Sequence, residues 1–132
     1  MNYLGIAEAY LIAEAVTGID AKVLARASRG DLLDSALNAP QAGFDGVDLY
    51  PSLIQKAAVL CIRITQNHPL IDGNKRLAWI ATVVFLEMNG ALLEVDEDDA
   101  VATMMSVAAG RLNEASLALW LTERVESSRS EP

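Results

Sequence analysis

Apolar residues recur at helical spacing along almost the whole chain. Leu4, Ala7, Leu11 and Ala15 lie three or four residues apart and predict a first helix, which Thr17-Gly18 closes. After a less regular connection, Asp31 to Leu37 predicts a second helix, stopped by Asn38-Ala39-Pro40. Gln41 to Asp48 holds two glycines, one phenylalanine and no period, so a loop or short hairpin is expected there. Pro51 suits the first turn of a long helix, where its missing N–H costs nothing. Leu53, Ala57, Leu60 and Ile64 give that helix a broad apolar face, and it should run to about Asn67.

The next helix should start near Asn74 and end at Asn89-Gly90, a helix-stop pair. Leu77, Ile80, Ala81, Val84, Phe85 and Met88 follow its period. Ala78, Trp79 and Val83 make its other faces apolar too, the pattern of a central, heavily buried helix. Leu92 to Val95 is too short to assign. Val101, Met104, Met105 and Ala108 repeat helical spacing after Glu97-Asp98-Asp99, an acidic start that suits the positive end of a helix. Asn113 is placed to cap a last helix carrying Leu117, Trp120 and Leu121. Met104, Met105 and Trp120 are expected in the core. The expected architecture is all-α: one compact domain of about six helices over residues 1–126, with a flexible polar tail at 127–132.

Composition narrows the function. A chain of 132 residues with 52% hydrophobic residues has room for one real core. The net charge of −8, from 10 basic and 18 acidic residues, argues against a general electrostatic nucleic-acid binder. The single cysteine, Cys61, cannot form an internal disulfide, and its apolar neighbours predict a buried, inert thiol. One histidine excludes a His/Cys zinc cluster. No basic stretch precedes an apolar one at the start of the sequence, and the longest apolar run is broken by Thr82. A cytoplasmic protein without membrane or nucleic-acid partners is expected.

The chemistry concentrates between His68 and Arg76. This nine-residue stretch, His-Pro-Leu-Ile-Asp-Gly-Asn-Lys-Arg, joins two central helices. Gly73 permits a tight turn, and the N–H groups of a helix start converge on an anion, as in a nest. Lys75 and Arg76 place full positive charges in the first turn. There they oppose the helix dipole, a conflict that an anionic ligand would relieve. Asp72 beside such a cradle would repel a phosphate unless a cation such as Mg²⁺ lay between them; its ordinary alternative is a helix N-cap. His68 can take a proton near neutral pH; its ordinary alternative is a structural histidine at a helix end. Base, carboxylate and cradle together fit transfer of a phosphate-bearing group to a hydroxyl.

His68, Pro69, Asp72, Gly73, Asn74 and Arg76 resemble the signature loop of the Fic/Doc family, His-Pro-Phe-x-Asp/Glu-Gly-Asn-Gly/Lys-Arg. Flanking segments are similar to Doc-type toxins as well: Leu32 to Leu37 with Pro40, Leu49-Tyr50-Pro51, Lys56-Ala57-Ala58, and Phe85 to Gly90. The resemblance implies a helical fold with His68 as base for a target hydroxyl, Asp72 as the Mg²⁺ ligand, and Asn74 with Gly73 as an anion hole. Arg76 would hold the phosphates of ATP. Three departures matter. Lys75 stands where the usual Fic loop has a second glycine, Trp79 where nucleotidyltransferases of the family carry a second arginine, and Leu70 where the family has phenylalanine.

The first two departures favour the Doc branch, in which the γ-phosphoryl group of ATP is transferred to a threonine of elongation factor Tu and translation stops. His68, Asp72, Lys75 and Arg76 are then the catalytic set, and Gly73, Asn74, Lys75 and Arg76 the phosphate-binding set. The family's inhibitory-helix pattern finds only Thr122 to Glu126, which Ser127 breaks. A Phd-like antitoxin acting in trans is therefore expected. The loop Gln41 to Asp48 is the candidate flap for the target chain. Two other functions compete: transfer of AMP to a protein hydroxyl, and an inactive binding module that keeps the fold.

Overall fold

Two long helices, α4 (Leu53–Asn67) and α5 (Asn74–Met88), form the centre of the molecule and pack on each other. The computed structural model describes residues 1–127. Before the pair come α1 (Ile6–Thr17), α2 (Ala21–Ala27), α3 (Gly30–Asn38), a 3₁₀ turn at Ala39–Gln41 and a hairpin of β1 (Gly43–Phe44) and β2 (Val47–Asp48). After it come β3 (Ala91–Leu93), α6 (Glu97–Ala108), α7 (Glu114–Thr122) and β4 (Val125–Ser127). Helix α4 also packs on α3 and α7, and α5 on α1. The all-α expectation holds for the core, with seven helices among the described residues instead of about six. None of these is long and apolar enough to cross a membrane.

Burial follows from composition. Ala57, Ala58, Leu60, Cys61 and Ile64 of α4 meet Leu77, Ala78, Ala81, Phe85 and Leu86 of α5, all within a few per cent of complete burial. Each large side chain among them contributes about 1.5–3 kcal/mol. Burial also pushes the Cys61 thiol up to about 11, against a weaker opposing hydrogen bond from Thr82, so the expected inert thiol is what the fold contains.

Several elements differ from expectation. Helix α1 buries Ala9, Tyr10 and Ala13, while Ala7, Leu11 and Ala15 face solvent. The helix is apolar on most faces, so its period does not single one out; small Ala9 and Ala13 let it approach the core closely. Glu8 accepts the Gly5 N–H at 2.7 Å and caps this helix. The connection after α1 contains α2, a seven-residue helix whose only buried side chain is Leu24. Its signal in the sequence is Asp20, which accepts the Lys22 N–H at 2.8 Å.

Pro51 precedes α4 rather than starting it. Ser52 and Gln55 open the helix with a reciprocal capping box. Helix α6 turns Ala100, Thr103, Met104 and Val107 inward and leaves Met105 exposed; Trp120 is half-buried. Asn113 caps α7 as expected, accepting from Ser116 at 2.8 Å. The unassigned Leu92 to Val95 supplies part of β3, which pairs antiparallel with β4. Ser127, expected in the tail, pairs there with Ala91, and residues 128–132 lie outside the described residues.

Candidate active site

The loop begins where α4 stops. His68 ends the helix in the left-handed region, at φ 51° and ψ 54°, with its N–H still bonded to the Ile64 carbonyl at 3.2 Å. For a side chain with a Cβ this conformation costs about 1 kcal/mol or more. The flanking residues are fixed from α3: Asn67 Nδ2 donates to the Leu32 carbonyl at 2.9 Å, and the Arg29 N–H donates to the Pro69 carbonyl at 2.8 Å. His68 itself is exposed.

Leu70 is 2% exposed and anchors the loop in the core, so leucine performs the packing expected of phenylalanine at this place. Ile71 and Asp72 then turn outward, and Gly73 caps α5 at φ 90°. A Cβ at Gly73 would lie 3.0 Å from the Thr17 methyl carbon and would be strained besides, so two constraints require glycine. Because Gly73 is the N-cap, Asp72 is not, and its carboxylate has no hydrogen bond or ion pair among the described residues. The ordinary explanation for that carboxylate is thereby removed.

Asn74 also does structural work. It is buried, its Oδ1 accepts the Leu70 N–H at 2.8 Å, and its Nδ2 donates to the Leu70 carbonyl at 2.8 Å. These two bonds shape the loop, and the main-chain N–H of Asn74, at the start of the helix, faces no helical acceptor. The first helical N–H to bond back is that of Leu77, to the Gly73 carbonyl at 2.9 Å. Those of Asn74, Lys75 and Arg76 precede it, as the free donors at any helix start do.

The two cations are treated differently. Arg76 Nη1 donates to the Val16 carbonyl at 3.0 Å, at the negative end of α1. One of the two charges that oppose the α5 dipole is therefore balanced within the fold, without a ligand. Lys75 is exposed and has no partner among the described residues.

His68, Asp72, Gly73, Asn74, Lys75 and Arg76 all line one cleft of about 700 Å³. Val16, Ile19, Val23, Leu24 and Ala27 of α1, α2 and their junction line the same cleft as an apolar wall. This wall leaves no mark in the sequence, because no residue type in it carries chemistry. Trp79 is not part of the cleft; it packs edge-on against Trp120, ring centres 6.0 Å apart.

The sequence profile of the Fic/DOC family matches residues 7–86, which run from α1 through the loop to the end of the buried part of α5. The chain belongs to the Fic/DOC family. Among curated proteins, Toxin Doc of Mycolicibacterium smegmatis is 48% identical over 81 residues. That match covers 61% of this chain and 62% of the relative, so the similarity extends over about three-fifths of each protein. The Fic/DOC match contains the whole described loop and the α1–α2 wall, and stops before α6 and α7.

Within Gln41 to Asp48, where a loop or short hairpin is expected, a hairpin is formed. Asp45 and Gly46 both take positive φ, 53° and 75°, the requirement of a tight two-residue turn whose twist matches the strands. Phe44, Val47 and Leu49 are exposed on it. Its base is tied down by Lys56, which is buried and donates to the Pro40 carbonyl at 3.0 Å and to Asp48 Oδ2 at 3.2 Å.

Proposed function

We propose that this chain is the toxin of a toxin–antitoxin pair and a protein kinase, which moves the γ-phosphoryl group of ATP to a threonine hydroxyl. Elongation factor Tu is the target that the Doc resemblance implies. The observation that carries the reading is the cleft, which His68, Asp72 and Lys75 all line, and in which the carboxylate and the ammonium lack any partner among the described residues.

In this reading His68 takes the proton of the acceptor hydroxyl as its oxygen bonds to the γ-phosphorus. The bond from that phosphorus to the β–γ bridging oxygen breaks, and ADP leaves. A positioned base contributes about 10²–10⁴-fold to such a step. Lys75, the guanidinium of Arg76 and the N–H groups at the start of α5 would hold phosphate oxygens, whose charge the positive helix end also favours.

Asp72 fits a magnesium ligand. It is an exposed carboxylate free of capping duty, and among the described residues no cluster of three or more His, Cys, Asp or Glu competes with it. Bound there with phosphate oxygens and water, Mg²⁺ would neutralise phosphate charge. The Phd-like antitoxin expected in trans also belongs to this proposal. Thr122 to Glu126 runs from the end of α7 into β4, so it does not lie on one helix that could act as an inhibitor in cis.

Incubation with elongation factor Tu and, separately, γ- and α-labelled ATP tests the reading. Label should arrive from the γ position alone, and His68→Ala should abolish it. Label from the α position would make the protein an AMP transferase. Label from neither would remove the kinase reading and favour a binding module.

A further inference from the structure

The protein's single histidine sits in a conformation that its own helix does not favour, and a neighbouring helix holds both of its flanks. Left-handed residues that end helices are mostly glycine, sometimes asparagine. Here the residue is His68, at φ 51°. On one side Asn67 Nδ2 donates to the Leu32 carbonyl at 2.9 Å. On the other, the Pro69 carbonyl accepts the Arg29 N–H at 2.8 Å. Arg29 and Leu32 belong to the same turn, since the Leu32 N–H bonds the Arg29 carbonyl at 3.0 Å. One turn at the start of α3 thus grips the chain immediately before and immediately after the histidine.

We propose that Asn67 is a positioning residue for His68: its carboxamide fixes the end of α4 to α3 and so sets the backbone geometry that presents the imidazole to the cleft. The proposal rests on His68 being the base of the transfer step. Of the two grips, that of Arg29 uses main-chain atoms and is available to any sequence. That of Asn67 depends on a side chain. Without it, the strained residue is held on one side only and can relax towards commoner backbone conformations, which would carry the ring away from the loop.

Asn67→Ala in the full chain tests this with two readouts. The NMR signals of the imidazole are unambiguous, because there is one histidine. They should shift or broaden in the variant. Phosphoryl transfer should lose about tenfold or more in kcat with KM for ATP unchanged within about twofold, because small misplacements of a reacting group are costly in rate while phosphate binding is untouched. Asn67→Gln, which restores a donor on a longer arm, should recover part of the loss. Asn38→Ala removes a comparable side-chain bond, to the Asp34 carbonyl at 2.9 Å, from the far end of α3 and should change neither readout.

If Asn67→Ala folds too poorly to purify, Asn67→Leu serves in its place, since it keeps the approximate shape, lacks the donor and adds no charge beside His68. Imidazole signals identical to those of the unaltered protein would overturn the proposal, as would equal changes in kcat and KM. Should the unaltered protein transfer no phosphate at all, the kinase reading fails, and the imidazole comparison still decides whether Asn67 sets the position of His68.

Discussion

Asn74 and Leu70 bond each other twice, amide oxygen to main-chain N–H and amide nitrogen to main-chain carbonyl, both at 2.8 Å. The pair closes the loop on itself beneath the exposed residues Ile71 and Asp72. Asn74→Ala should therefore leave two buried polar groups of Leu70 unpaired, at about 1–3 kcal/mol each. A fall in Tm of at least about 8 °C is expected, using about 4 °C per kcal/mol for a domain of this size. Thermal unfolding of the two proteins measures it. A variant as stable as the parent would mean that the pair does not hold the loop.

His68 offers a comparison that separates stability from activity. His68→Ala and His68→Gly should both be inactive, but the glycine variant should be the more stable by about 1 kcal/mol, since glycine alone takes the left-handed conformation without a Cβ penalty. Urea denaturation of the pair checks this. Equal stabilities would mean that the backbone at this residue is not strained.

Lys56 predicts how the hairpin is anchored. Lys56→Met should keep the packing of the stem and lose both donated bonds, at a cost of about 1–3 kcal/mol. Asp48→Asn should cost under about 1 kcal/mol, because the Asp48 side chain is 56% exposed and keeps an acceptor. Hydrogen exchange over residues 43–48 should quicken in the first variant and change little in the second.

Asp99 gives a pH dependence. The hydrogen bond from Arg124, 2.6 Å away, is the main cause that holds its carboxyl below the ordinary value of 3.8; the indole of Trp120 adds to it, against partial desolvation. A depressed pKa stabilises the folded state above the ordinary value, and that contribution is lost as pH falls through the lower, folded value. The Tm advantage of the parent over Asp99→Asn should be present at neutral pH and close as pH drops below 3.8. A gap that stays constant with pH would exclude this ion pair as its source.

The chemistry of the site is more legible in the sequence than its surroundings are. His68, Asp72, Lys75 and Arg76 stand out because their types are rare together, and the fold brings them to one cleft. Asn74 has a structural task that its residue type does not reveal: its amide bonds the Leu70 main chain twice, and only the fold brings Leu70 to it. The buried face of α1 is hidden by uniform hydrophobicity, whereas the contrast of α4 makes Ala57, Leu60 and Ile64 legible. Helix α2 is too short for its period to register, and with it goes one wall of the cleft.

Helix α1, together with the short segment that leads into it, is riveted to α5 at both ends. Asn2 bonds Met88 and Asn89 at the far end of α5, and Val16 accepts from Arg76 at its beginning. The two helices act as opposite sides of a frame whose corners are bonded. One residue inserted into either helix would add about 1.5 Å and rotate the remainder of that helix by about 100°. Neither rivet could then meet its partner while the other held. Side chains away from the bonded corners and the buried faces can change one at a time, but the number of residues between the corners cannot be revised on one side alone.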